Sequence, residues 1–405
     1  MADFLGFTAI SIVSLITLIV GMRWPAIYKI LLVALIVRVF LLLLGHYIIP
    51  LPGGNFDAEY FERKAWDFAQ GGIFDVLSNF DLGPFVFFSS LQAIPYSLFG
   101  RSILMAQSIG LLFGIGSVFY SWKLANILWG ERIAKRVGWS MALFPSLILY
   151  SLLFLREVYI SFFLLLAVYG AVNWIKTKNY SSFFLSMFGF GVATMFHGSM
   201  IIAIIVFLSY VAAAYLKVLF KSLNRLKINL KILPIFLLCI IILGLFVSSK
   251  INVSYLNNFE ESVNIDMLIQ KTYNSTKGGA AWPVWTIAKS GIELLYIAPL
   301  RSIYFLFSPF PWDVKKLGHI IGLFDATLYM YLVFLIFRNI SVIWRDPSLR
   351  FILILLLCFI FVYGLGVGNF GTALRHKTKF TFMFVLLAAP LIKSFVFSKS
   401  NKKFN

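Results

Sequence analysis

Long apolar runs recur along the whole chain and determine the first prediction. Segments 4–20, 232–247 and 351–362 are examples, and with their flanks they are long enough to cross the roughly 30 Å of hydrocarbon in a bilayer. Because no water inside the bilayer can pair with exposed backbone groups, such runs are predicted to be helices. Strands of a membrane barrel would alternate in polarity, and these runs do not. The pattern predicts an all-α, polytopic transmembrane helix bundle.

The composition agrees with this class of protein. Hydrophobic residues make up 60% of the 405 residues, charged residues only 13%, and the mean hydropathy is +0.90. A soluble chain is nearer to about a quarter charged. The first apolar run lacks a basic start and a small-residue cleavage pattern, so we expect a retained helix. Cys239 and Cys358 lie inside apolar runs, which argues against a disulfide or metal framework.

Positive charge falls in short clusters between the apolar runs, as is typical of cytoplasmic loops. The net charge of +19 therefore does not indicate nucleic-acid binding. Segment 50–101 is acidic instead, and we place it on the outer face. The clusters placed in the cytoplasm are Lys123, Arg132, Lys135 and Arg136; Lys176 and Lys178; Lys217, Lys221, Arg225, Lys227 and Lys231; Arg345 and Arg350; and Lys399, Lys402 and Lys403.

Two apolar segments would conflict with this orientation if they crossed the membrane. Segment 84–99 is therefore placed along the outer interface as an amphipathic helix. The same argument keeps segment 250–317 outside, with partly buried or re-entrant pieces. The prediction is one membrane domain covering 1–405 with about eleven spans. Its N-terminus lies outside and its C-terminus inside, and 50–101 and 250–317 form the two large outer segments.

The first outer loop offers carboxylates close to the membrane. Asp57 follows the predicted span 26–49, and a charge this near to hydrocarbon is costly unless it serves a function. A carboxylate there can accept the proton of a sugar hydroxyl that attacks an activated anomeric carbon. We predict Asp57 as a catalytic residue and Glu59 as a substrate-binding residue. A solvated acidic surface is the alternative.

Two later outer turns also carry polar residues. Arg156 and Glu157 lie between two apolar runs. Glu157 is a candidate catalytic acid, and a structural ion pair with Arg156 is the alternative. His197 lies at the next outer turn and is a candidate substrate-binding residue, or else a helix cap.

Basic residues in segment 368–379 precede the last apolar run, on the outer face. Arg375 can grip a phosphate with its planar guanidinium, and Lys377 and Lys379 add point charge. His376 is a further substrate-binding candidate. Basic sequence on this face runs against the usual distribution, and a phosphate ligand would explain it. Anchoring to anionic lipid headgroups is the alternative.

Arg301 is a second phosphate-binding candidate, within the proline- and aromatic-rich segment 299–312. Aromatic residues line sugar and prenyl sites, but they also form ordinary interfacial belts. The chain has no phosphate-binding glycine-lysine loop, no dinucleotide fingerprint and no metal-ligand spacing. No cofactor is required by these patterns, no metal-ligand residue is predicted, and a need for a divalent metal stays open.

The acidic run Asp57-Ala58-Glu59-Tyr60, segment 95–102, the run ending Tyr120-Ser121-Trp122-Lys123 and segment 142–157 together resemble the GT-C superfamily of membrane glycosyltransferases. The resemblance covers roughly the first half of the chain. It implies that Asp57 is the catalytic base, that Glu157 aids catalysis or positions the acceptor, and that basic residues hold the phosphate of a polyprenyl-linked donor. Segments 308–312 and 371–377 are similar to parts of bacterial surface-polysaccharide proteins. The superfamily usually starts inside, whereas the predicted first helix starts outside.

The resemblance implies a multi-pass glycosyltransferase of the bacterial inner membrane. Its expected partners are a donor sugar on undecaprenyl phosphate or diphosphate, a surface-glycan or lipid-linked acceptor, and membrane lipids, with no nucleic acid. A repeat-unit polymerase for O-antigen or capsule is the close alternative. A lipid-linked saccharide flippase is the alternative from another class, and it should carry charges midway through its spans. Arg38 and Asp325 are the clear mid-span charges, and a structural pair between them would explain both.

Overall fold

The computed structural model describes residues 2–54, 56–84, 86–223, 265–276, 278–314 and 317–393, and their regular elements are helices. Segment 232–247, residues 250–264 and the basic tail at 399–403 lie outside the described residues. The α-helices are α1 (Ala2–Arg23), α2 (Pro25–Tyr47), α3 (Asp57–Ala69), α4 (Gly72–Ser78), α5 (Phe87–Phe99), α6 (Ile103–Trp129), α7 (Glu131–Leu143), α8 (Pro145–Tyr150), α9 (Glu157–Thr177), α10 (Tyr180–Phe196), α11 (Ile201–Leu223), α12 (Ile265–Ser275), α13 (Gly291–Phe307), α14 (Leu317–Arg338), α15 (Ile340–Arg345), α16 (Pro347–Gly366), α17 (Phe370–Thr378) and α18 (Thr381–Ala388).

Six stretches of helix among the described residues are long and apolar enough to cross a membrane. They are Ala2–Arg23, Pro25–Tyr47, Ile103–Trp129, Glu157–Thr177, Gly198–Lys217 and Pro347–Gly366. Large apolar side chains such as Phe4, Leu15 and Phe40 point away from the core, as a surface facing lipid requires. The protein is therefore a multi-pass, all-α membrane protein.

These six helices do not support the predicted count of about eleven spans. The apolar helices Tyr180–Phe196 and Thr381–Leu391 are shorter than the roughly 20 residues that a straight span needs. Between Glu131 and Arg156 the chain is also interrupted. Pro145 occupies the first turn of α8, and residues 151–155 are non-helical and buried. An apolar run therefore does not translate directly into one continuous helix.

Arg38, in the middle of α2, lies at this interruption. Its Nη1 donates to the Ala142 carbonyl oxygen at 2.8 Å, and its Nε donates to Ser151 Oγ at 3.2 Å. The Arg38 side chain is almost completely buried. Carbonyl groups at the end of α7 that have no partner within the helix thus receive a charged donor from a neighbouring helix. Arg38 therefore binds the broken helix and makes no ion pair with Asp325 among the described residues.

The bundle has two chemically different ends. At one end, which we call the Asp57 end, Ser102 Oγ at the start of α6 donates to the Ala2 carbonyl oxygen at 2.8 Å. At the other end, which we call the Lys123 end, Lys123 Nζ lies 5.4 Å from the centre of the Trp24 ring. Lys176 Nζ also donates there, to the Ile127 carbonyl oxygen at 2.8 Å. The basic clusters around Lys123 and Lys176 therefore share one end, as the predicted orientation requires.

Segment 84–99, which was predicted not to cross, contains a short helix at the Asp57 end. Helix α5 has 13 residues, too few for a span, and it packs against α3 and α4. Its Tyr96 hydroxyl donates to Glu62 Oε1 at 3.2 Å, and Arg101 Nη2 binds Glu62 Oε2 at 2.6 Å. Glu62 therefore pairs with Arg101 and not with Arg63, because helix α3 turns it toward α5.

Candidate functional site

Three residues far apart in the sequence meet at the Asp57 end. Arg375 Nε donates to Glu157 Oε1 at 2.6 Å, and Arg375 Nη1 contacts Asp57 Oδ2. The Glu157 side chain is 1% exposed, that of Arg375 is 18% exposed and that of Asp57 is 63% exposed. Arg375 therefore joins a buried carboxylate to one that solvent or a ligand can reach. The structure brings together the two predicted catalytic residues and one predicted phosphate-binding residue.

The start of α17 places Arg375. Asn369 caps this helix by accepting a hydrogen bond from the Thr372 backbone at 2.8 Å. The Trp282 backbone N–H donates to the Gly368 carbonyl oxygen at 2.8 Å, which ties the cap to the segment before α13. A Cβ on Gly368 would lie 2.5 Å from the carbonyl carbon of Ser275, so only glycine fits here. The glycine in this basic segment thus serves the close approach of two backbones.

The non-helical segment before α9 places Glu157. Glu157 is the first residue of this helix, and the positive end of the helix dipole favours a carboxylate there. Arg156, the residue before it, donates from Nη1 to the Pro84 carbonyl oxygen at 2.6 Å and to the Phe196 carbonyl oxygen at 3.1 Å. Arg156 therefore links the start of α9 to the end of α10 and to the segment before α5. Glu157 pairs with Arg375 instead of with Arg156.

A second basic side chain lies behind Arg375. Lys379 is fully buried, and its Nζ lies 2.7 Å from His376 Nδ1, so one of these two nitrogens donates to the other. The same Nζ lies 5.3 Å from the centre of the Tyr363 ring. Lys379 makes no ion pair with a carboxylate among the described residues. Burial lowers the pKa of the Lys379 amine well below its usual value, and an arriving anion would favour its charged form.

His197 belongs to the same group of polar residues. Its Nδ1 lies 2.8 Å from Ser199 Oγ, which lies 2.6 Å from the Tyr363 hydroxyl. The ring centres of His197 and His376 are 5.4 Å apart, with the planes almost perpendicular. His197, Ser199 and Tyr363 thus form one hydrogen-bonded group and His376 and Lys379 a second, and ring contacts of His376 with His197 and Tyr363 join the two. We call these five residues the histidine chain.

Burial and positive neighbours control ionisation in this region. Burial lowers the pKa of His376 well below its usual value, and the charges of Lys379 and Arg375 lower it further. Burial and the charges of Lys379 and Arg156 do the same to His197. Burial alone would lower the pKa of Arg375, but the Glu157 charge outweighs it and the pKa is raised. The two histidines are therefore neutral at pH 7, and Arg375 is charged.

Three predicted substrate-binding residues lie apart from this group. Lys377 is fully buried on the opposite face of α17, where its Nζ donates to the Leu306 carbonyl oxygen at 3.0 Å and lies 4.6 Å from the Tyr329 ring centre. Glu59 lies on the exposed side of α3 and pairs weakly with Arg63, at 4.0 Å. Neither Lys377 nor Glu59 makes a hydrogen bond or an ion pair with Arg375 in the described part of the chain.

Arg301 is the third residue that lies apart, and it is fully buried. Its guanidinium donates to the carbonyl oxygens of Thr286 at 2.8 Å, of Gly364 at 3.1 Å and of Val367 at 2.5 Å. These bonds join α13 to the end of α16. Arg301 therefore holds the backbone that leads into α17, and its donors are occupied by that backbone.

Sequence reasoning treated Lys379 as added point charge equivalent to Lys377, and it left Tyr363 out of the candidate site. Lys379 follows Arg375 by four residues, which is the spacing of one face of a helix. Lys377 follows Arg375 by two residues and must face the other way. The helical period could therefore have selected Lys379 over Lys377. Tyr363 lies within the apolar helix α16, and no local pattern distinguishes it from a core tyrosine.

Within the described ranges, no group of three or more His, Cys, Asp or Glu side chains is close enough to hold a metal ion. No family model, no curated protein and no solved structure matches this chain. Functional argument therefore rests on the geometry of the site itself.

Proposed function

We propose that this protein is a glycosyltransferase of the bacterial inner membrane that uses a polyprenyl-phosphate-linked sugar on the outer face. The observation that carries the proposal is the contact of Arg375 with both Asp57 and Glu157 at one end of an apolar bundle. Donor lipid, phosphate and an acceptor hydroxyl can meet there. In this proposal the bundle has about eleven crossings. They include the interrupted stretch from Glu131 to Arg156 and the short helices α10 and α18.

Asp57 is the general base in this proposal. The acceptor hydroxyl oxygen forms a bond to the anomeric carbon of the donor, and the bond from that carbon to the phosphate oxygen breaks. The phosphate leaves with the electron pair, and the hydroxyl proton moves to Asp57. The exposure of the Asp57 side chain, at 63%, supports this role because an acceptor sugar can reach it.

Arg375 stabilises the departing phosphate. Its Nη2 makes no hydrogen bond to a described residue, so one donor edge is available beside Asp57. Glu157 holds Nε in place and keeps the guanidinium charged. Fixed donors aimed at developing negative charge are the largest contribution to many group transfers. Glu157 is thus a positioning residue, and the buried amine of Lys379 lies behind it.

A repeat-unit polymerase uses the same chemistry with a diphosphate-linked glycan. The specific observation in its favour is that Arg156 and Arg375 bring two guanidinium groups to this site, beside the buried amine of Lys379. A diphosphate would engage more than one of them. The two candidates differ in donor linkage, which a transfer assay can separate.

The test measures sugar transfer in membranes with monophosphate-linked and diphosphate-linked prenyl donors. We expect Asp57→Asn to abolish transfer at unchanged protein level, and Arg375→Ala to raise the donor concentration needed for half-maximal rate. Asp67→Asn is the matched control, because Asp67 is an exposed acid on the same helix. Full transfer by Asp57→Asn would remove the general-base role. Equal loss in the control would assign the effect to surface charge.

A further inference from the structure

A groove at the Lys123 end lies at the opposite end of the bundle from the candidate site. It has a volume of about 560 Å³ and lies where the end of α1 meets the starts of α2 and α7. Its lining includes Pro25, Lys29 and Ile30 from α2, and Lys135 and Trp139 from α7. Gly21 of α1 gives the groove its shape, since a Cβ there would lie 2.5 Å from the Tyr28 ring. The groove is therefore formed by close packing at the corner between α1 and α2.

The polarity of the groove changes with depth in the membrane. Lys29 lies four residues after Pro25, the start of α2, and Lys135 lies four residues after Glu131, the start of α7. Trp139 lies four residues further along α7, about 6 Å deeper at 1.5 Å per residue. Lys29 and Lys135 are exposed. The entrance is thus cationic, and the deeper part is apolar and aromatic.

Charge at this entrance is strongly positive. Arg23 and Arg132 flank the two lysines, and Glu131 is the one acid among these five, paired with Lys135 at 2.7 Å. A phosphate-bearing headgroup is attracted by basic residues at the membrane surface. An apolar chain attached to the phosphate would continue along Ile30 and Trp139. A polar entrance and an apolar interior match an amphiphile better than a soluble anion.

We propose that this groove binds one anionic phospholipid, with its phosphate between Lys29 and Lys135 and an acyl chain toward Trp139. The site is independent of the proposed transferase activity, because it lies at the opposite end of the bundle from Arg375. Its ligand class is a lipid with a negatively charged headgroup from the leaflet at the Lys123 end. A zwitterionic lipid of the same chain length binds less tightly, since the headgroup has no net charge.

Native mass spectrometry of the full chain in detergent tests this proposal. Phosphatidylglycerol and phosphatidylcholine with identical acyl chains are added in equal amounts, and we expect the wild-type protein to retain phosphatidylglycerol preferentially. In the variant Lys29→Gln/Lys135→Gln, the ratio of bound phosphatidylglycerol to bound phosphatidylcholine should fall roughly tenfold. Lys178→Gln/Arg345→Gln is the matched control, because it removes two exposed charges from the same end and should keep the preference.

A second variant separates shape from charge. Ala26→Trp fills the groove while both lysines remain, so it should reduce binding of both lipids. Excess inorganic phosphate should not displace the lipid, because the acyl chain contributes to binding. The proposal is overturned if the wild-type protein shows no preference for phosphatidylglycerol, if the control variant loses as much as the lysine variant, or if phosphate alone displaces the lipid. Monodisperse elution of each variant verifies that it is folded.

Discussion

The ion pair between Glu157 and Arg375 offers a quantitative test of the site. Arg375→Ala would leave the Glu157 carboxylate, 1% exposed, without its donor. Removing one partner of a buried pair typically costs about 3–5 kcal/mol, because the other charge stays buried and unpaired. We expect a loss of stability in that range.

Glu157→Gln should cost less. The amide oxygen can still accept from Arg375 Nε, and Arg375 keeps its contact with Asp57. The loss then reflects the difference between a charged and a neutral hydrogen bond, about 1–2 kcal/mol. The double variant Glu157→Gln/Arg375→Ala should cost clearly less than the sum, since no unpaired charge remains. A coupling of about 1.5 kcal/mol or more is expected for residues in direct contact.

The assay is equilibrium unfolding in mixed detergent micelles, followed by tryptophan fluorescence. Asp57→Asn is the internal comparison, because its carboxylate is 63% exposed and its pairing should contribute less than about 1 kcal/mol. Strict additivity of the two single variants would refute the direct contact between Glu157 and Arg375. A loss below about 1 kcal/mol for Arg375→Ala would refute the burial of the pair.

Three further predictions concern the surroundings of the site. Burial and Lys379 hold the pKa of His376 below its unfolded value of about 6.5, so the contribution of His376 to stability is complete above that pH and is lost as the pH falls, by up to about 1.4 kcal/mol per pH unit. His376→Gln should flatten the pH dependence of the free energy of unfolding between pH 7 and about pH 5, and an unchanged slope would contradict the argument. Arg301→Gln removes donors to four backbone carbonyls, so we expect a loss above about 2 kcal/mol in the same unfolding assay and faster proteolysis before α17. A loss within about 0.5 kcal/mol would show that these bonds contribute little stability. Gly364→Ala should destabilise the protein by about 1–3 kcal/mol, since its Cβ would lie 2.9 Å from Ser302 Cα. Gly191→Ala has open space around it and should be neutral or stabilising. Equal effects would mean that α13 and α16 can separate without cost.

The helical class of the bundle could be predicted because lipid excludes unpaired backbone. Continuous apolar runs gave α1 and α2 with ends only a few residues from those expected. The break around Pro145 was harder to predict. Proline is compatible with the first turn of a helix, so the residue alone indicates neither a continuous span nor an interrupted one. The interruption receives donors from Arg38, which lies more than a hundred residues earlier.

The sequence could identify individual residues of the candidate site, but it could not predict that they contact one another. The unusual position of Asp57, Glu157 and Arg375 beside the membrane identified each of them separately. Their contact joins residues 218 and 318 positions apart, and only tertiary packing determines such distances. Lys377 and Arg301 are basic residue types like Arg375, but packing against backbone carbonyls turns both away. Charge alone therefore does not tell which basic residues lie beside Asp57 and Glu157.

Arg38 has a consequence for how the chain is assembled during synthesis. Helix α2 leaves the ribosome long before Ala142 and Ser151 are made, so Arg38 at first lacks the groups that later accept its hydrogen bonds. An arginine at the centre of a membrane helix costs about 2.5–3.5 kcal/mol to insert. The early hairpin therefore enters the bilayer in a higher-energy state that only the later segment relieves. A ribosome-bound intermediate that ends before residue 142 should still expose Arg38 to water-soluble reagents, and one that ends well beyond residue 156 should not.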